Sequence, residues 1–205
     1  MRFTRFFLFF ISILLVSVDG FGQTELENKV IASLLKNGKN LIPEYRISKR
    51  KGWVKSFNNQ MLPPFVLLNV TVNPVHDAEF DTLSMMQRNV LTEKDKDMLG
   101  DFCQKNGTSL KIDSVVGLEK AITFLSDSKR RKIFVGKDEW RAYYADYGLK
   151  PFVKVSRPGF NKKMNRAFIY LTYSLGKNDG AGYYMVLKKT LGKWKLKGNI
   201  FVWVQ

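Results

Sequence analysis

Few residues in this chain have the chemistry to act as a catalyst, and they do not converge in sequence. There is one histidine and one cysteine. His76 has Asp77, Glu79 and Asp81 close by, so any His-dependent nucleophilic triad would have to use it, and a His with three carboxylates is also a metal-ligand composition. It lies in a polar segment after Asn73-Pro74, where an ordinary surface histidine is the plainer reading. Cys103 falls on the apolar stripe of a predicted helix and reads as a small core residue, because reactive thiols need a basic setting. Gly180-Ala181-Gly182 leads into a strand without the Gly-Lys-Ser/Thr ending or following helix of a phosphate loop, so it is turn chemistry. The sequence therefore assigns no catalytic residue, no metal ligand and no cofactor.

Positive charge is the more promising chemistry. The chain has 34 Lys and Arg against 18 Asp and Glu, a net charge of +16. Such a surface favours an anionic partner: an acidic protein, a glycan, a lipid headgroup or nucleic acid. Three clusters are candidates. Lys49, Arg50 and Lys51 sit beside Trp53 and Lys55, pairing charge with a ring that could stack. Lys129, Arg130, Arg131 and Lys132 are the densest run, though four adjacent residues point in different directions in either a helix or a strand. Lys193, Lys195 and Lys197 alternate along the last strand, as an anion strip or as edge protection. A fourth constellation is aromatic: Trp140, Tyr143, Tyr144 and Tyr147 share one side of a predicted helix. They could line a small-ligand pocket, but a slab covering the sheet is the favoured reading.

These residues need elements to position them. Thr24–Gly38 carries Leu26, Val30, Ile31, Leu34 and Leu35 at helical spacing, with Thr24 and Glu27 spaced as a capping box. Thr92–Gly107 is a second helix capped by Thr92, with Met98, Leu99, Phe102 and Cys103 inward. Lys137–Gly148 is a third, and Leu118–Leu125 also reads as helical. Phe65–Val72 and Leu110–Val116 read as strands. From Phe152 onward β-formers dominate: Phe152–Ser156, Arg166–Ser174, Gly182–Thr190 and Lys193–Val204, joined by Gly-bearing turns, predict an antiparallel meander. Bulk on both faces of Arg166–Ser174 makes that strand central. On the last strand Trp194, Leu196, Ile200 and Val202 are expected on one side and the lysines on the other.

The N-terminus shows Arg2 and Arg5, the apolar run Phe6–Val18 and small residues at Gly20 and Gly22. That pattern predicts a signal peptide over residues 1–23, with a run too short for the roughly 20 residues of a membrane span. Its loss would remove Arg2, Arg5 and Asp19 and leave a net charge of +15 over residues 24–205. With one cysteine, no internal disulfide or Cys-based zinc site can form, and the absence of a lipid-attachment cysteine after the signal argues against a lipid anchor. The product is expected to be periplasmic or extracellular, with sequons at Asn69 and Asn106 unused.

The order Trp140, Tyr144, Tyr147, Ser156-Arg-Pro-Gly-Phe-Asn161, Gly180-Ala-Gly-Tyr-Tyr184, Leu187-Lys-Lys, Gly192-Lys-Trp194 and Trp203 resembles a group of exported proteins of unknown function from gram-negative bacteria. The resemblance implies export and, since that group has no assigned activity, offers no catalytic residues to carry over. The helix-then-sheet order is also similar to the cone-shaped NTF2-like fold. The expectation is one α+β domain over residues 24–205, with about three helices packed on one face of an antiparallel, curved sheet of four or more strands. It would act as a non-enzymatic envelope or secreted interaction module with a basic surface for an anionic partner; the alternative is a small-ligand-binding or enzymatic NTF2-like domain with an aromatic-lined pocket.

Overall fold

The computed structural model describes residues 24–37, 41–42, 44–48, 52–56, 64–74, 91–136 and 138–205, with backbone alone for 44–48 and 52–56. The predicted signal segment, Lys49–Lys51 and His76 lie outside the described residues.

The organising strand is Arg166–Gly176 (β7), buried on both faces. Ala167, Ile169, Leu171, Tyr173 and Leu175 enter one apolar cluster, while Phe168 and Tyr170 enter another, as the period-two pattern requires. Asp179–Thr190 (β8) and Lys193–Val204 (β9) follow as an antiparallel meander. On its other side β7 pairs with Phe152–Val155 (β5) and Gly159–Phe160 (β6). Beyond β5 come Phe65–Leu68 (β3) and Ile122–Leu125 (β4), completing a seven-stranded sheet in the order β4-β3-β5-β7-β8-β9, with β6 beside β7. Glu44–Ser48 (β1) and Gly52–Ser56 (β2) form a separate antiparallel pair.

Two expectations about the sheet need correction. It is mixed and open, not purely antiparallel, because β3 runs parallel to both β4 and β5. Leu118–Leu125 is not helical: Ile122 and Thr123 are β-branched, and all four residues of β4 pair with β3, which satisfies backbone groups that a single helical turn would leave open.

The helices number four among the described residues, and they cover both faces. Residues 24–37 (α1) place Val30, Ile31, Leu34 and Leu35 in the first cluster, each fully buried. Burial of each such side chain is worth about 1.5–3 kcal/mol, enough to seat the helix. Lys96–Lys105 (α2) lies on the opposite face, with Met98, Leu99 and Phe102 against Phe168 and Tyr184. It follows a 3-10 turn, Glu93–Asp95, in which Thr92 and Asp95 make a reciprocal capping box. Asp127–Ile133 (α3) and Glu139–Tyr147 (α4) cover the β3 end of that same face, over Val66, Leu68 and Phe152. A sheet whose strands are apolar on both sides cannot leave one of them to water, so helices on one face alone would not suffice.

Between β5 and β6 the ladder breaks at Ser156–Pro158. Ser156 still bonds to Tyr170 through its backbone N–H and accepts the Tyr170 N–H on its hydroxyl. Pro158 cannot donate to a ladder, and Arg157 leaves the sheet sideways. Its guanidinium donates to both carboxylate oxygens of Glu27 at 3.0 Å. Glu27 is fully buried, although its spacing from Thr24 reads as a helix cap. Lys105 on α2 lies 2.7 Å from Asp101 and 3.7 Å from Glu27, with its ammonium over the Phe160 ring. Asn106, also buried, is held by Phe102 and Arg157 and receives the Arg157 N–H. The two helices on opposite faces thus meet at one ionic knot. Directly beside it, a Cβ on Gly159 would stand 2.5 Å from the Met98 carbonyl oxygen and the Phe102 N, so α2 can approach only a glycine there.

Glu27→Ala removes the carboxylate that takes two of the Arg157 guanidinium's hydrogen bonds and leaves that cation largely buried, so it should destabilise by about 3–5 kcal/mol. Urea unfolding checks this, and a loss no larger than that of an exposed α1 substitution such as Glu25→Ala would contradict it.

Candidate anion-binding surface

Positive charge gathers where β7 begins and the β8–β9 hairpin turns. Arg166, Lys188 and Lys195 are direct cross-strand partners on three neighbouring strands. Like charges placed opposite one another repel, and only Arg166 is offset, by Asp95 at 3.1 Å. From residue 181 to 205 there is no Asp or Glu. Lys188, Lys189, Lys193, Lys195 and Lys197 are all exposed, and none makes an ion pair among the described residues. The predicted alternation on β9 is only half right. An irregularity between Leu196 and Gly198 shifts the register against β8, so Trp194 and Leu196 face the first cluster whereas Ile200 and Val202 face the second. One extra residue in a strand reverses the sides that follow it.

Two turns project from this end of the sheet. Leu191-Gly192 closes the β8–β9 hairpin with φ of 49° and 76°, the positive pair that a two-residue hairpin turn demands. Leu191 is 97% exposed, the most exposed large hydrophobic among the described residues. The second turn, between β6 and β7, holds Lys162, Lys163 and Met164, and Met164 is also left-handed, with φ 50°. Asn161 builds it: its side-chain oxygen accepts from the Asn165 and Arg166 N–H groups, and its amide donates to Asn165. The Lys189 N–H donates to the Asn165 carbonyl at 2.8 Å, so the two turns are tied side by side. Leu191 and Met164 are the only non-glycine residues with positive φ among the described residues.

The other predicted basic cluster is differently placed. On α3, Asp127 accepts from Arg130 and Arg131 at 2.9 Å each. The Arg130 hydrogen bond, with help from Arg131, holds the Asp127 carboxyl below the usual aspartate range against the opposing effect of burial. Lys129 pairs with Asp146 at 3.0 Å over the Tyr147 ring, and Lys132 is exposed. Two adjoining clefts of about 350 and 320 Å³ share Arg130 and Lys154, the second walled by Trp140, Phe134 and Phe152. Their acids, Asp127 and Glu139, offset much of the positive charge. Of the four predicted pocket aromatics Trp140 alone lines either of these two clefts. Tyr143 is fully buried, its hydroxyl donating to the Lys150 carbonyl and its pKa pushed up chiefly by burial. The Tyr144 hydroxyl donates to the Leu175 carbonyl, and Tyr147 packs on Tyr143.

Cys103 is exposed, not a core residue; Lys105 takes the buried position next along the helix because its ammonium has Asp101 to meet. No group of three or more His, Cys, Asp or Glu among the described residues could hold a metal, and no helix among them is long and apolar enough to cross a membrane. The sequence reading named Lys193, Lys195 and Lys197 but missed Lys163, Lys188, Lys189, Met164 and Leu191. The signal was present in the run Lys188–Lys195, with lysines on both sides of Leu-Gly, but it needed the strand register to become a surface.

These features define an α+β fold with a mixed sheet and a cationic, acid-poor sheet end. No protein family, no curated protein and no solved structure matches the chain.

Two measurements follow from this geometry. Leu191→Asn should stabilise the protein by about 1 kcal/mol, because asparagine tolerates the left-handed turn better than leucine; a fall in thermal midpoint would contradict the assignment. Asp127 has a lowered folded pKa, so its contribution is complete above the unfolded aspartate value of about 4 and is lost as pH falls through the folded value. The stability advantage of wild type over Asp127→Asn should therefore be constant near neutrality and shrink below about pH 4. An advantage independent of pH in acid titrations would contradict it.

Proposed function

We propose that the protein is a non-enzymatic, exported interaction module that meets an anionic partner through the sheet end around Leu191. The observation that carries this reading is the Arg166–Lys188–Lys195 row. Three cations stand in register on neighbouring strands, in a region where the last twenty-five residues contain no acid. Mutual repulsion there costs stability, and an arriving anion relieves it. The α3 run supports the reading less well, since Asp127 and Asp146 already engage three of its four cations. Export rests on the basic, apolar and small-residue order of the N-terminal segment.

Binding to a sulfated polysaccharide, followed by fluorescence across a salt series, tests the reading. The logarithm of the binding constant should fall linearly with the logarithm of salt. Lys188→Gln and Lys195→Gln should each reduce the slope by about 1, while Lys129→Gln leaves it unchanged. Binding indifferent to salt, or equally sensitive to Lys129→Gln, would refute the assignment.

A further inference from the structure

A simple polyanion site has no use for protruding aliphatic side chains, yet this one has two. Leu191 is 97% and Met164 is 41% exposed, and each stands at the tip of a turn. Each also sits in left-handed backbone, which a residue with a Cβ adopts at a cost; glycine or asparagine would fill either position more comfortably. Both turns are firmly built. Asn161 organises the Met164 turn, and the Lys189-to-Asn165 hydrogen bond fixes its relation to the Leu191 hairpin. Exposed lysines surround the tips: Lys163 beside Met164, with Lys188, Lys189, Lys193 and Lys195 around Leu191. Among the described residues, the acids paired with cations at this end are Asp95, engaged by Arg166, and Asp97, which is 3.5 Å from Lys162.

We propose that this end of the sheet docks on an anionic lipid bilayer, with the Leu191 side chain entering the boundary between headgroups and acyl chains. The proposal rests on the anion-binding reading above and names its partner. A protein partner is disfavoured by the form of the apolar surface. Stable protein interfaces bury about 800 Å² per partner around a packed apolar core, whereas here the exposed apolar groups are two single side chains among lysines. Single-stranded nucleic acid would want stacking faces, but Trp194, two residues past the hairpin turn, is buried in the first cluster. A fluid bilayer accepts isolated protruding side chains, and lysines at headgroup depth extend their stems over apolar surface while their ammonium groups meet phosphate. Each such lysine adds about 1 kcal/mol, or roughly fivefold in affinity.

The test is co-sedimentation of the protein with phosphatidylglycerol–phosphatidylcholine vesicles and with pure phosphatidylcholine vesicles. Binding is expected to the anionic vesicles and not to the neutral ones. Leu191→Asn, which keeps the turn, should weaken vesicle binding by about tenfold or more while leaving the affinity for sulfated polysaccharide unchanged. Lys188→Gln should weaken both. If Leu191→Asn binds anionic vesicles like wild type, or if the polysaccharide binds in a salt-dependent way and vesicles do not, bilayer docking is overturned and the anion-binding reading stands. Binding of neither probe overturns both.

Discussion

The arrangement of this fold depends on one buried pair, Glu27 and Arg157. The carboxylate belongs to α1 on one face of the sheet, and Lys105, which shares it, belongs to α2 on the other. The guanidinium reaches it only because Ser156–Pro158 interrupts the strand that would otherwise have kept Arg157 in the ladder. Buried ion pairs recover little more than their desolvation cost, and the four apolar residues of α1 outweigh the pair as sources of stability. Its contribution is positional. A greasy stripe can slide on a sheet, but a two-pronged hydrogen bond has one register.

Around that knot the two faces are finished differently. The first is continuous, running from α1 across β3, β5, β7 and β8 to Trp194. The second is divided between a cluster under α2 and another under α3 and α4. Close packing at both ends uses missing side chains: Gly159 admits α2, and Gly182 admits the Trp203 indole, whose N–H donates to the Tyr170 hydroxyl. The clefts lie at the α3–α4 end of the divided face, where charge is largely balanced by acids. The sheet end beyond α2 keeps Lys188, Lys189, Lys193, Lys195 and Lys197 exposed with no ion pair among the described residues, which is why the proposed binding surface lies there and not at the densest basic run.

The C-terminal meander was legible because its strands alternate and its turns contain Gly, so local pattern and final pairing agree. The central place of β7 followed from bulk on both faces. The parallel β3–β4 pairing was not legible, since it joins residues far apart and Ile122–Leu125 is too short to declare a period. Glu27 and Lys105 misled for the opposite reason: charged residues on amphipathic helices normally face water, and their burial is decided by Arg157 and Asp101. Of the candidate site, the β9 lysines were visible as an alternation. Their union with Lys188 and Arg166 was not, because only strand register brings those residues abreast.

The sheet order also governs when the molecule can become whole. β3, near the start of the described chain, must insert between β4 and β5, and α1 needs β7 and β8 beneath it. A ribosome makes those partners late. Hairpins among β7, β8 and β9 close quickly once made, whereas the earlier segments wait for a surface to lie on. The growing polypeptide thus cannot close its sheet or seat α1 until β7 and β8 have been made.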